Sequence, residues 1–191
     1  MTDRQKEKLF NAIVYFLNHT KNCYKLKLLK LLYFLDFEHY RQTGNSVTGL
    51  DYYAWEKGPV PKDIFRSIED PKLLEGLSDY ISTYIEEFES GTGHKTIIKP
   101  KKVFNPKLFT KRELDVLAKV AEIFLEATGD QMTEASHFKS LPWDRTIKEK
   151  KLNEKIEYDY VLDNTSSSIK PEVIIENNKL KEETIGFINS L

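Results

Sequence analysis

Apolar positions in this chain are densest between residues 26 and 41. There Leu28, Leu31, Leu32, Leu35 and His39 recur at helical spacing, and Leu29, Tyr33, Phe34 and Phe37 fill the flanks. A helix apolar on nearly every side is buried by several neighbours rather than laid on a surface. The segment is too short and too rich in Lys, Asp and Glu to cross a bilayer. It is therefore read as a central core helix, from Leu26 to about Arg41. Upstream, Leu9, Phe10, Ile13, Val14, Phe16 and Leu17 form a broad stripe on a first helix ending near His19, with Thr2 or Asp3 as its cap.

After the central helix the period changes. Gly44-Asn45 and Thr48-Gly49 mark a turn region. Leu50–Glu56 is rich in aromatic residues and reads as a strand, which Gly58-Pro59-Val60-Pro61 should end as a stiff extended corner. Short helices are expected from Lys62 to about Ile68 and from Lys72 to Leu77, with Asp70-Pro71 between them. Residues 79–89 fit both helical and strand spacing. The glycine turn Gly91-Thr92-Gly93 and the β-branched run Thr96-Ile97-Ile98 favour a hairpin of Tyr80–Glu89 with Lys95–Lys102. Thr110-x-x-Glu113 is a capping-box pattern opening a helix that Gly129 should end, and Asp130–Lys139 reads as another helix, with Trp143 as a packing anchor beyond it.

From Arg145 the composition becomes charged. Ile156, Tyr158, Tyr160 and Leu162 then alternate with polar residues, as an edge strand or extended segment would. Asn164–Ser168 reads as a linker, and Lys179–Ser190 as a weak last helix. The expected organisation is a domain over residues 1–150 followed by a C-terminal extension over 151–191.

The 191 residues carry 29 basic and 30 acidic side chains, a net charge of −1. That balance gives no general drive toward nucleic acid or an acidic membrane. One cysteine, Cys23, excludes an intramolecular disulfide framework and a multi-cysteine zinc site, and its lack of a paired histidine points to a packed thiol. The charged start MTDRQKEK does not resemble a secretion signal, so the cytoplasm is the expected location, with no membrane contact.

Asp36, Glu38 and His39 raise the question of an acid–base or metal site. With no second ligand cluster at a recognisable spacing, a buried Asp36–His39 hydrogen bond that positions the turn is the simpler reading. No serine stands in a nucleophile elbow and no phosphate-binding glycine loop occurs, so no catalytic residue, metal or cofactor is expected. Tyr52, Tyr53 and Trp55 are the candidates for partner binding. Alternation along a strand cannot bury all three on one face, and large, stiff, partly polar rings suit an interface. Lys99, Lys101, Lys102, Lys107, Lys111 and Arg112 form a basic run whose common meaning is a solvated face; contact with DNA in a winged-helix-like arrangement is the alternative.

Lys30-Leu31-Leu32-Tyr33-x-x-Asp36-Phe37-x-His39, then Thr43-Gly44, Thr48-Gly49 and Gly58-Pro59-Val60-Pro61, resembles the signature of the Panacea, or SocA-like antitoxin, domain. Phe109-Thr110-x-x-Glu113-Leu114-x-x-Leu117 through His137 and Pro142-Trp143 resembles the later part of that domain. The resemblance spans roughly Phe10 to Asp144. It implies a structural motif of Tyr33, Asp36, His39, Gly44, Gly49, Gly58, Pro59, Pro61 and Trp143. It also implies an antitoxin, from a bacterium or phage, that neutralises a cognate toxin by protein–protein contact; delivery of the toxin to a protease is a second form of that role. The expected fold is a mainly helical α+β domain with a small antiparallel sheet of about three strands.

Overall fold

The computed structural model describes residues 1–87, 93–163, 165 and 168–188. Helix α1 (Asp3–His19) opens with a capping box in which Thr2 accepts from the Gln5 amide and Gln5 answers the Thr2 amide. Helix α2 (Lys25–Thr43) is the axis of the molecule. Leu28, Leu29, Leu31, Leu32, Tyr33, Leu35 and Phe37 are all buried on it, so its whole circumference is covered. It stops at Gly44, whose φ of +72° is open to glycine at no steric cost.

The prolines after Gly58 do not end the strand as a corner. They form the second arm of a hairpin, β1 (Tyr52–Trp55) against β2 (Gly58–Pro61). The reason lies on the other edge of β1. Ala54 donates its N–H to Glu154 O (2.9 Å), and Tyr52 O accepts from Ile156 N–H (2.8 Å). The backbone groups of Tyr52 and Ala54 therefore point away from β2, and their partners Pro61 and Pro59 sit where no amide donor is needed. Residues 153–156 supply this outer edge, with a bridge between Tyr53 and Lys155, and of the alternating segment expected at 156–162 only Ile156 joins it. Beyond it Tyr158–Val161 turns into a 3-10 helix instead of a strand.

Helix α3 (Lys62–Phe65) is shorter than its pattern suggested. The helix expected over Lys72–Leu77 is a 3-10 turn, Pro71–Leu73, followed by α4 (Leu77–Tyr80), because Gly76 at φ +85° interrupts the path. The second hairpin is β3 (Ile81–Glu87) with β4 (His94–Pro100). Phe88 and Glu89 of the expected first arm, and Gly91 and Thr92 of its turn, lie outside the described residues. The fold is thus α+β and mainly helical, with two separate two-stranded antiparallel sheets among the described residues.

Helix α5 (Lys111–Ile123) begins at the Thr110–Glu113 capping box and ends earlier than expected. Gly129 does not end it. Thr128 and Gln131 form another capping box, and Gly129 is the first residue of α6 (Gly129–Ser136). Pro142 starts α7 (Pro142–Glu149), in keeping with a residue that has no amide to leave unpaired. The last helix, α8 (Pro171–Ile188), starts eight residues before the expected Lys179; the end expected at Ser190 falls outside the described residues. Its Ile174 packs onto Gly44, where a Cβ would stand 2.8 Å from the isoleucine. One apolar core joins α1, α2, both hairpins, α5 and α6, and takes in Ile156 from the last quarter of the chain.

Candidate functional site

Strand β1 sorts its aromatic residues by face. Tyr52 and Ala54 are buried, and Tyr53 and Trp55 are half-buried. Tyr52 therefore offers no surface to a partner. Its hydroxyl donates to Asp36 Oδ2 at 2.7 Å, and its ring packs against Tyr33 and Phe37. Asp36 also accepts from the amides of Val47 and Thr48 (2.8 Å each) and from the Thr48 hydroxyl. Burial pushes this carboxyl up to about 6, and the four donors pull the other way. The donors all favour the ionised form, so the group acts as a fixed anchor for the loop that carries Gly49.

The expected Asp36–His39 bond does not form. Three donors from the following loop and the Tyr52 hydroxyl already surround Asp36, and His39 Nδ1 meets Asn45 O instead, at 2.6 Å. The two residues hold the same turn from different ends. Gly49, at φ +72°, would place a Cβ 2.4 Å from the Gln5 side chain.

At its other end the hairpin meets a lysine that no exposed face could carry. Lys30 is fully buried on α2, and its ammonium donates to Pro59 O at 2.8 Å. Burial lowers it to about 7. Gly58, at φ +90°, fits into the space beside it: a Cβ there would lie 2.6 Å from Ser136 Oγ, 2.8 Å from Lys30 Nζ and 3.1 Å from His137 Nε2. His137 stacks on Trp143 with ring centres 3.7 Å apart, and Trp143 donates its indole N–H to Trp55 O at 2.9 Å. Trp143, 88 residues along the chain from Trp55, thus meets the hairpin whose second arm is Gly58 to Pro61. In the sequence Lys30 stands only as one position of the Lys30-Leu31-Leu32-Tyr33 pattern. The signal that could have singled it out is its place on a helix with no wet face.

A cleft of about 780 Å³ opens beside Trp55. Its walls are the start of α2 (Tyr24 to Leu29), Trp55 and Phe65, and the beginning of β4 at His94–Thr96. Trp55 and Phe65 rings meet at 4.9 Å, and Lys25 lies 3.4 Å over the Phe65 ring. The indole N–H of Trp55 is buried without a hydrogen-bond partner. Tyr53 lies on the same face of the strand under the Lys62 ammonium, 3.7 Å above its ring.

The model of the family described as "Antitoxin SocA-like, Panacea domain" matches residues 28–144, more than half of the chain. The chain belongs to this antitoxin family. No curated protein and no solved structure matches it. The matched span runs from α2, across both hairpins, to the start of α7, and so contains the Asp36 anchor, the Lys30–Gly58–His137 junction and most of the cleft wall.

Among the described residues no group of three or more His, Cys, Asp or Glu side chains could hold a metal ion. Cys23 is buried, which pushes its thiol up to about 11, away from reactivity. Within the basic run, Lys101 donates to Ser78 O at 2.6 Å, while Lys99 and Lys102 lie over the rings of Tyr84 and Tyr80. No described helix is long and apolar enough to cross a membrane.

Proposed function

We propose that this antitoxin-family protein neutralises a toxin by direct binding, with Tyr53, Trp55 and the cleft beside them as the contact surface. The observation that carries this reading is the match over residues 28–144 together with the placement of half-buried Trp55 at that cleft, with Tyr53 on the same face of the strand. Catalysis plays no part in the mechanism. Capture works by burying surface on the toxin, and any hand-over to a protease rests on the same capture step.

Helix α8 assists. Val173, Ile175, Leu180 and Ile185 are exposed along it, and among its described side chains only Ile174 is buried. A helix with exposed apolar side chains and a single docking residue is suited to ordering against a partner. The setting we assign is the cytoplasm, where the partner acts.

The test is co-expression with the protein encoded beside this one, scored by growth rescue and by pull-down. The expected result is rescue by the full chain and weaker rescue by a chain ending at Lys170. Absence of both binding and rescue would remove the antitoxin reading for that neighbour.

A further inference from the structure

Two lysines at the cleft beside Trp55 are held in the same way. Lys25 lies 3.4 Å over the Phe65 ring and pairs with Glu69 at 2.7 Å. Lys95 lies 5.3 Å over the Tyr24 ring and pairs with Glu86 at 2.6 Å. Each ammonium stands between a carboxylate and an aromatic face, whose quadrupole attracts a cation. Trp55 is a third ring at the same cleft, and it lacks the cation. Among the described residues no Lys or Arg stands over it, although tryptophan is the ring that attracts a cation best. Its nitrogen is buried, so what the half-buried side chain offers the cleft is ring carbon. The carboxylates are in place: Glu56, next in the chain, and Asp130, in the first turn of α6, are exposed at the cleft, and neither pairs with a described Lys or Arg.

Most of the positive charge at the cleft is already committed. Lys25 and Lys95 are in the pairs just described, and Lys27 is folded onto the carbonyls of Lys21 and Leu125, at 2.7 and 3.1 Å. That leaves Lys57, exposed in the turn between β1 and β2, against two unpaired carboxylates. Asp130 also serves the positive end of its own helix, and the start of α2 is close by, since Gly129 packs onto Leu26. Glu56 is therefore the freer of the two. The rest of the wall is apolar, built from Leu26, Leu29 and Val60.

Resting on the antitoxin reading, we infer that the cleft binds a basic side chain of the toxin, an arginine or a lysine, with its charged head over the Trp55 ring beside Glu56. The head then stands between a ring and a carboxylate, as Lys25 and Lys95 already do at the same cleft. Arginine suits the place best, because its planar, weakly hydrated group stacks on aromatic faces and matches a carboxylate. The aliphatic stem lies against Leu26, Leu29 and Val60, where a long basic side chain buries its methylenes while its head stays polar. Asp130 adds negative field from α6. Shape, ring and charge thus select one class of side chain, and Lys57 is a cost to it rather than a contact.

The test uses the full chain and the intact protein encoded beside it, with binding measured by titration. Glu56→Lys and Lys57→Glu reverse neighbouring charges in one exposed turn, and melting temperatures equal to the parent's establish that both are folded. Glu56→Lys is expected to weaken binding by about tenfold or more, because it sets a like charge against the basic head. Lys57→Glu is expected to bind at least as tightly as the parent. Trp55→Phe, which keeps a smaller ring, is expected to lose several-fold. Among single arginine-to-glutamate and lysine-to-glutamate changes in the toxin, one is expected to restore binding to Glu56→Lys. If the parent binds and rescues while Glu56→Lys stays within about twofold of it, well under the loss at a central contact, the basic occupant is overturned and the antitoxin reading survives. Weaker binding by Lys57→Glu, unchanged binding by Trp55→Phe, or no toxin change that restores Glu56→Lys overturns it equally. If the parent itself neither binds nor rescues, this inference falls together with the reading it rests on.

Discussion

Tyr52 and Trp55 stand three residues apart on one short strand and have opposite surroundings. The Tyr52 hydroxyl ends in a closed network in which Asp36 accepts from two amides and two hydroxyls. The Trp55 indole N–H is buried without a hydrogen-bond partner, on a residue whose side chain lines a cleft. A satisfied buried polar network fixes one conformation, whereas an unsatisfied buried donor costs stability until something answers it. The closed end of the hairpin builds the fold, and the open end stands beside the cleft proposed above to receive a partner.

The largest effect is expected at the closed end. Asp36→Ala removes the acceptor of four donors, all in a region without water to replace it. Losses of this kind cost about 3–5 kcal/mol. The expected outcome in urea denaturation is a protein at or beyond the edge of folding, with the cleft lost as a consequence. A variant melting within a few degrees of the parent would mean that the loop is held by other contacts and that the two ends of the hairpin do not differ in this way.

Next comes Gly58, paired with Trp55 at the turn end of the hairpin. Gly58→Val places a branched side chain at φ +90°, against Ser136, Lys30 and His137. Backbone strain of about 1–3 kcal/mol adds to the steric cost of moving those side chains. Thermal melts should show a clear drop, and Ser136→Gly in the same chain should recover part of it by making room.

The middle of the hairpin also gives a pH signature. Lys30 is lowered from 10.5 to about 7 by burial. Between those values the unfolded chain holds a proton that the folded chain does not, so stability rises as pH rises, by at most about 1.4 kcal/mol per pH unit. Below pH 7 both states hold the proton and the contribution is flat. Toward pH 9 the buried Cys23, pushed up to about 11, gives the opposite slope, which confines the useful window to pH 7 to about 8.5. Urea midpoints across that window should climb in the parent and climb less in Lys30→Met. Parallel curves would show that Lys30 stays charged in the fold.

Much of this arrangement could be read from residue order, and the unread parts share a cause. The all-round apolar pattern of Leu28 to Phe37 marked α2 as central, and Thr110-x-x-Glu113 marked the start of α5, because both signals are local. Gly58–Pro61 read as a corner because prolines are poor strand formers in isolation. They become a strand because residues 153–156, nearly a hundred positions later, occupy the other edge of β1 and leave the prolines opposite positions that need no amide. Alternation showed that Tyr52, Tyr53 and Trp55 could not share a face. Which of them went inside was set by Asp36, a long-range partner. Lys30 was hidden for the same reason: its role depends on a carbonyl of Pro59, and a lysine among leucines reads as a wet residue until every face of the helix is known to be covered.

Tyr52→Phe then tests the closed end without disturbing shape. It deletes one hydroxyl that donates to an anchoring carboxylate, for which a cost of about 1.5–3 kcal/mol is typical. Toxin capture, measured on folded protein, should not change, because the lost group lies inside. Reduced capture at equal folding would place the Asp36 network in communication with the surface.

The smallest effect on stability belongs to Trp55→Phe, and it is the sharpest contrast with Tyr52→Phe. Both substitutions delete the one polar group of an aromatic residue of the same strand, Trp55→Phe together with part of the ring. At Trp55 the deleted N–H makes no bond. Removing it relieves the cost of a donor withdrawn from water, while the smaller ring gives up some contact with Phe65. The two changes oppose each other, so the melting free energy should stay within about 0.5 kcal/mol of the parent. The pair of variants therefore separates two roles along four residues: Tyr52→Phe should move stability and leave capture intact, and Trp55→Phe should move capture and leave stability intact. If both variants shift stability alike, the indole N–H has an acceptor inside the protein, and the open end of the hairpin is part of the closed one.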